Sequence, residues 1–395
     1  MNDRVWLQAT AQAMRDIGGG EPRLVLDLDR LQANVRQVCA GQAPDRSLRL
    51  VQKSLPSLAL LRWLAPQLGT QRLMLFHRPY LNHYAKHWPT ADLLLGKPMP
   101  VAAAAAFYAD FEPGKGFDPS QQLHWLIDSD ARLAQYQGLA QSLSTTLSLA
   151  LEIDVGMHRG GFAEPAAMQA ALRRIAADPA HLRLSAFMGY DAQAAKAPPW
   201  LGTARAVAQA NARYRAFESA VRSSQPTLAQ GIRFRNGAGS PTLLQHGADS
   251  PLDDLALGSA LVKPTDFDVP SLARLQPAAL IAAPVLKVAD GMAIPFLERA
   301  SALAARWLPG RRRSVFLYGG RWMAQPVWPQ GLRCNQLYGL SSNQQLMNLA
   351  AEVPLQVDDV ALFRPTQSEA VFTQFGTLWG LRAGRLEARF EPDPA

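Results

Sequence analysis

Over the first two-thirds of the chain, short apolar runs alternate with longer amphipathic, alanine-rich stretches, a pattern that predicts a parallel α/β fold. The runs LRLVQ (48–52), RLMLF (72–76), ADLLL (91–95), LHWLID (123–128), SLALEID (148–154), RLSAFMG (183–189), RFRNG (233–237) and DLALGSA (254–260) read as eight strands. Helix-like segments such as Ala166 to Ala177 and Ala204 to Arg222 lie between them, the spacing that a (β/α)8 TIM-type barrel requires. A further run, RLVLDLD (23–29), precedes the series, and its pairing stays open. After about Asp268 prolines become denser and alternating runs follow: LIAAPVLKV (280–288), SVFLYGG (314–320), DDVALF (358–363) and EAVFTQFG (369–376). This part reads as a mostly antiparallel β domain.

With 395 residues, 48% hydrophobic and 18% charged, the chain can bury a sizeable core and hold two domains or three. The longest apolar stretch, Val101 to Ala109, is far shorter than the roughly 20 residues of a membrane span, and no basic, apolar leader opens the chain. A cytoplasmic location is therefore expected. Cys39 and Cys334 form no C-x-x-C pair, in keeping with a reducing compartment. The net charge of +8 raises the question of nucleic acid, but the excess is diffuse. Only Arg311, Arg312 and Arg313 form a run, in an expected surface turn, and neither zinc-finger spacing nor an RNP-like strand accompanies it. Nucleic acid and membrane are set aside as partners.

Candidate chemistry gathers just past the strand runs, where barrel enzymes place it. Only seven lysines occur in the chain, and Lys53 ends the first barrel run. A desolvated lysine at a strand end can form an imine, which arginine cannot; the bland reading is a solvated lysine after a strand. The turn Asn236-Gly237-Ala238-Gly239-Ser240-Pro241-Thr242 can converge backbone N–H groups and two hydroxyls on a phosphate, or it is simply a tight turn needing glycine at positive φ. The stretch Leu151 to Phe162 carries Glu152 and Asp154 on one side of a strand, with Arg159 close by, either as site groups or as a structural ion pair. Tyr190 follows the next strand. Together, a lysine, an arginine, a tyrosine and a phosphate cradle on strand ends suggest pyridoxal 5′-phosphate (PLP) held as an imine.

At these residues the sequence resembles the fold-type III PLP enzymes, the alanine racemase-like barrel group, and within it the D-threonine aldolase and D-serine dehydratase branch. The resemblance runs through LVLDLDRLQANV (24–35), Lys53, LMLFHRPYL (73–81), LEIDVGMHRGGF (151–162), FMGYDAQ (187–193) and NGAGSPT (236–242). It implies that Lys53 forms the internal aldimine, that Arg159 and Tyr190 lie beside the cofactor ring, and that the Asn236-Gly237-Ala238-Gly239-Ser240 turn holds the phosphate. It also implies an N-terminal segment (1–29) pairing with the β domain, a barrel over about 30–265, a β domain over 266–395, and a homodimer.

Two departures bear on the reaction. Members of that branch bind a divalent metal partly through a histidine where this chain has Gln367, with glutamate, Glu369, in place of the second ligand. The aldolases carry a further histidine where this chain has Gln193. Glutamine is a weak neutral ligand and cannot titrate, so a strict zinc or manganese aldolase is disfavoured, while a hard ion on Glu369 stays open. Gln193, Gln367 and Glu369 then offer a polar substrate pocket. The leading expectation is a PLP-dependent lyase acting on a β-hydroxy-D-amino acid by aldol cleavage or dehydration, with Lys53 and Tyr190 as its catalytic residues. The alternatives are an amino-acid racemase with Tyr318 or Tyr338 as second base, and a non-enzymatic PLP-binding protein.

Overall fold

The computed structural model describes residues 3–291, 296 and 313–394, so Arg311 and Arg312 lie outside the described residues. The chain divides into two compact units: Val35–Ala260 with Val269–Arg274 and Asp393–Ala395, and Met1–Asn34 with Leu261–Asp268 and Leu275–Pro392.

Eight parallel strands close the first unit into a barrel: β2 (Ser47–Val51), β3 (Arg72–Leu75), β4 (Asp92–Leu95), β5 (Leu123–Ile127), β6 (Leu147–Glu152), β7 (Leu182–Gly189), β8 (Phe234–Gly237) and β9 (Asp254–Leu257). They are the eight runs read from the sequence. Their near-continuous apolar character follows from burial on both faces, as in β5, where all five residues are buried. The apolar stretch Val101 to Ala109 lies in the helix Val101–Asp110, and the two amphipathic segments are the helices Pro165–Ala177 and Thr203–Ser224. Among the described residues no helix is long and apolar enough to cross a membrane.

Polar residues within these runs form a layer across the barrel interior. The Arg49 guanidinium, fully buried, makes a bidentate bond to Asp254 at 2.9 Å for both Nε and Nη2, and its Nη1 lies 2.8 Å from Asp92. Arg72 Nη1 donates to the second Asp254 oxygen at 2.7 Å. His124 joins Asp92 at 3.1 Å to Ser185 at 2.8 Å, and its ring stands edge-on to Phe234 at 4.8 Å. Contacts that skip from β2 to β4 and from β5 to β8 can be made only through the barrel interior.

This layer should make the fold acid-sensitive. Burial pushes the His124 imidazole below its ordinary value against the opposing pull of Asp92. For Asp92, burial would raise the carboxyl, but Arg49 and His124 outweigh it and hold it well below the usual carboxylate range. In acid, both groups bind fewer protons folded than unfolded, so stability rises with pH across their titrations. The contribution of His124 is present above the ordinary imidazole value of about 6.5 and is lost below it; that of Asp92 is lost lower, through the carboxylate range. Urea midpoints should fall steadily from pH 7 to pH 4, and His124→Gln should flatten the upper part of that fall.

In the second unit, β1 (Arg23–Asp27) lies between two C-terminal strands, antiparallel to β10 (Ala279–Asp290) and parallel to β16 (Leu378–Arg382). The sheet continues through β11 (Arg313–Tyr318), β12 (Ala324–Trp328), β13 (Arg333–Cys334), β14 (Gln344–Leu349), β15 (Val360–Pro365) and β17 (Arg385–Phe390), with every pairing antiparallel except β1 with β16. Helix Asp3–Ile17, which the pattern did not bring out, packs Trp6, Ala13 and Met14 against Val25, Leu280 and Leu362. Two expectations are corrected. The run EAVFTQFG is a series of turns, not a strand: the N–H groups of Val371 and Phe372 both donate to Ser368 O, and their buried side chains produce the apolar signal. Arg313 opens β11 instead of sitting in a surface turn, and its guanidinium donates to Val353 O and Leu355 O.

Candidate active site

Each barrel strand delivers its following residues to one rim. After β2 the chain makes a short 3-10 turn, Gln52–Ser54, in which Gln52 and Ser54 are buried and Lys53 is exposed. The Lys53 ammonium sits 4.9 Å from the centroid of Phe76, just past β3.

Past β6 the chain folds back on itself. Asp154 N donates to Phe162 O and Phe162 N to Glu152 O, closing a loop over residues 154–162. Asp154 accepts from the N–H groups of Gly156 and His158 through one oxygen and meets His158 Nδ1 at 2.7 Å through the other. Gly161 needs to be glycine here: its φ is +85°, and a Cβ would stand 2.7 Å from Glu152 O. Asp154 is therefore a loop-capping group, and its carboxyl lies below its ordinary value because these hydrogen bonds outweigh burial. Glu152 is pushed the other way, by burial and then by Asp128, against Arg159. Arg159 itself lies over Tyr190, its guanidinium carbon 5.1 Å from the ring centroid, a cation–π contact.

Tyr190 and the β8 turn meet directly. A Cβ on Gly239 would lie 2.6 Å from Tyr190 Cε2, so glycine is required there by the close approach of the ring. The positive φ expected of a glycine in this turn belongs instead to Ala238, at +60°. Thr242, read as a phosphate donor, is otherwise engaged: its hydroxyl accepts from Gly239 N at 3.1 Å and donates to Asp191 Oδ1 at 2.7 Å. The second Asp191 oxygen meets His246 Nε2 at 2.9 Å, and both side chains are almost fully buried. Asn236 directs its amide to Asp254 at 2.6 Å, which ties the turn to the interior ion layer. Gly237 packs against Leu252 and Gly189. Ser240 is buried, and its Oγ accepts from Ala260 N at 2.9 Å, which keeps its own proton available to a ligand oxygen. Asp191 and His246 hold the turn in shape, yet no linear motif paired them, since 55 residues separate them.

The three glutamine and glutamate candidates have separate surroundings. Gln193 Nε2 donates to Val155 O at 3.1 Å, and its Oε1 is buried with no donor among the described residues. In the other unit, Gln367 Nε2 donates to Asp266 Oδ2 at 2.9 Å, and Ser368 Oγ donates to Glu369. Among the described residues no group of three or more His, Cys, Asp or Glu side chains is arranged to hold a metal ion.

Comparison with solved structures shows the same fold over nearly whole chains. D-threonine aldolase from Filomicrobium marinum aligns with a TM-score of 0.71 at 16% identity, over 96% of this chain and 95% of that one. D-threo-3-hydroxyaspartate dehydratase from Delftia sp. HT23 gives 0.71 at 17%, over 94% and 97%. An alanine racemase of Clostridium difficile 630 gives 0.68 at 12%, over 93% and 97%. At such identities the likeness establishes the fold alone. Curated proteins give no significant sequence match. The sequence model described as Alanine racemase, N-terminal domain, matches residues 26–266, the stretch that carries the whole barrel and its rim, and the chain belongs to that family.

Proposed function

We propose that this protein is a PLP-dependent enzyme of D-amino acids, acting as a lyase on a β-hydroxy-D-amino acid. The family to which it belongs uses PLP. The observation that carries the reading is the grouping on one barrel rim of an exposed lysine after β2, the Arg159–Tyr190 stack and the buried Ser240 hydroxyl beside a glycine turn. When bound, the cofactor supplies an electron sink that weakens bonds to the substrate Cα. Lys53 Nζ would hold the cofactor through its amine and would accept or return the proton at the substrate Cα. Ser240 and the backbone of Gly237, Ala238 and Gly239 would hold the phosphate, and Tyr190, braced by Arg159, would face the ring. The orphan Oε1 of Gln193 offers an acceptor to a substrate hydroxyl or ammonium. No step is assigned to a metal. The reading includes a homodimer, which sedimentation would check.

The decisive experiment records the visible spectrum of the purified protein with PLP, then follows products from a panel of D- and L-amino acids with and without EDTA. Glycine and an aldehyde from a D-β-hydroxy substrate mark aldol cleavage, ammonia and a keto acid mark dehydration, and an inverted enantiomer marks a racemase. EDTA is expected to leave turnover unchanged, because neither glutamine supplies a good metal ligand. A protein that takes up no PLP would overturn the reading. Gly239→Ala offers a sharper check of the turn: the added methyl must displace the Tyr190 ring, so PLP affinity should fall while the melting temperature changes little.

A further inference from the structure

The turn that carries Lys53 is clamped by a residue more than 300 positions away. Asp393 lies in the barrel unit and is buried. Its Oδ2 accepts from Gln52 Nε2 at 2.5 Å and from Tyr84 Oη at 2.8 Å, and its Oδ1 accepts from Leu58 N at 2.8 Å. Asp393 N donates to Pro56 O at 2.9 Å. These contacts grip the connection from β2 to the helix Leu58–Leu64 on both sides of Lys53: Gln52 immediately before it, Pro56 and Leu58 after it.

Three further features show that the grip is specific. Gln52 is fully buried, and in turning its Nε2 to Asp393 it leaves its own Oε1 without a donor among the described residues, an unfavourable arrangement that the carboxylate must offset. Tyr84 is also fully buried; burial and then Asp393 push its phenol well above its ordinary value, so it remains a donor throughout the working range. His83 Nε2 stands 3.9 Å from Asp393 Oδ1. The carboxylate is thus held in place by groups from the helix Arg78–His87 while it holds the lysine turn.

We infer that Asp393 is a positioning residue for Lys53, setting the Gln52–Ser54 turn so that the amine stands where the cofactor's aldehyde must reach it. The inference rests on the proposed role of Lys53. It separates two kinds of binding: PLP links to the lysine, whereas pyridoxamine 5′-phosphate carries an amine in place of the aldehyde and binds through its phosphate and ring alone.

The test titrates Asp393→Ala and the unmodified protein with each compound and records melting temperatures without cofactor. Loss of the clamp should weaken PLP by roughly tenfold, the scale of a hydrogen bond to a charged group, and leave pyridoxamine phosphate within about twofold. Parallel loss of both compounds together with melting temperature would show a merely structural residue and overturn the inference, as would unchanged PLP affinity. If Asp393→Ala does not fold, Gln52→Leu removes the nearest contact to Lys53 and should show the same selective loss; equal loss of both compounds, or none, would again overturn it. An unmodified protein that binds neither compound would instead overturn the proposed function itself.

Discussion

Lys53→Ala is expected to yield a folded protein that shows no imine absorption band with PLP and loses turnover by at least about 10²–10⁴-fold, the range associated with a positioned proton-transfer group. The fold should be indifferent to the change. Lys53 is the exposed member of its turn, and the buried Gln52 and Ser54 on either side hold the backbone. Truncating an exposed side chain of this kind typically shifts stability by no more than about 0.5 kcal/mol. Circular dichroism and melting temperature should therefore match the unmodified protein while the visible band disappears. A variant that keeps the band, or keeps turnover, would show that another amine carries the chemistry, and the assignment of Lys53 would be withdrawn.

Asp254→Ala should have the largest effect on stability, a loss of about 3–5 kcal/mol in chemical denaturation, because it removes one partner from a fully buried ion pair. Arg49 and Asp254 are both completely buried, and Asp254 also binds Arg72 and Asn236. Asp92, at 2.8 Å, would remain the sole carboxylate beside the Arg49 guanidinium. Because Asn236 opens the proposed phosphate turn, PLP affinity should fall as well. The unchanged control is Asp16, on the surface of the helix Asp3–Ile17, where replacement by alanine removes only an exposed contact with Gln12. A loss below about 1 kcal/mol for Asp254→Ala would mean that the interior layer relaxes or hydrates when one charge is removed.

The barrel was legible because its strands are buried on both faces and its helices on one, so each period survives in the linear order of residues. The second sheet was only partly legible. Its strands β12, β14, β16 and β17 carry no run that stands out, while the buried turn after β15 imitates one. Lys53, Arg159, Tyr190 and the β8 turn were singled out by the same route, since each follows a strand whose end lies on the rim where such barrels place their chemistry. Their partners were not found. Asp191 with His246 and Asp393 with Gln52 are meetings of residues 55 and 341 positions apart, and nothing in the local sequence of either member specifies the other.

What the sequence by itself determined was therefore the local and periodic part: eight strands in order, the helices between them, and the chemical groups released at each strand end. Local propensity and burial pattern depend on neighbours a few residues away, and these are written in the chain. Tertiary structure alone decided which of those groups are engaged and which remain available. Closure of the barrel brought Arg49 to Asp92 and Asp254, turned Asp154 into a loop cap, and set Arg159 against Tyr190. A side chain's role follows from the partner it reaches, and in a closed barrel that partner arrives from the other strands through long loops whose course no local pattern encodes.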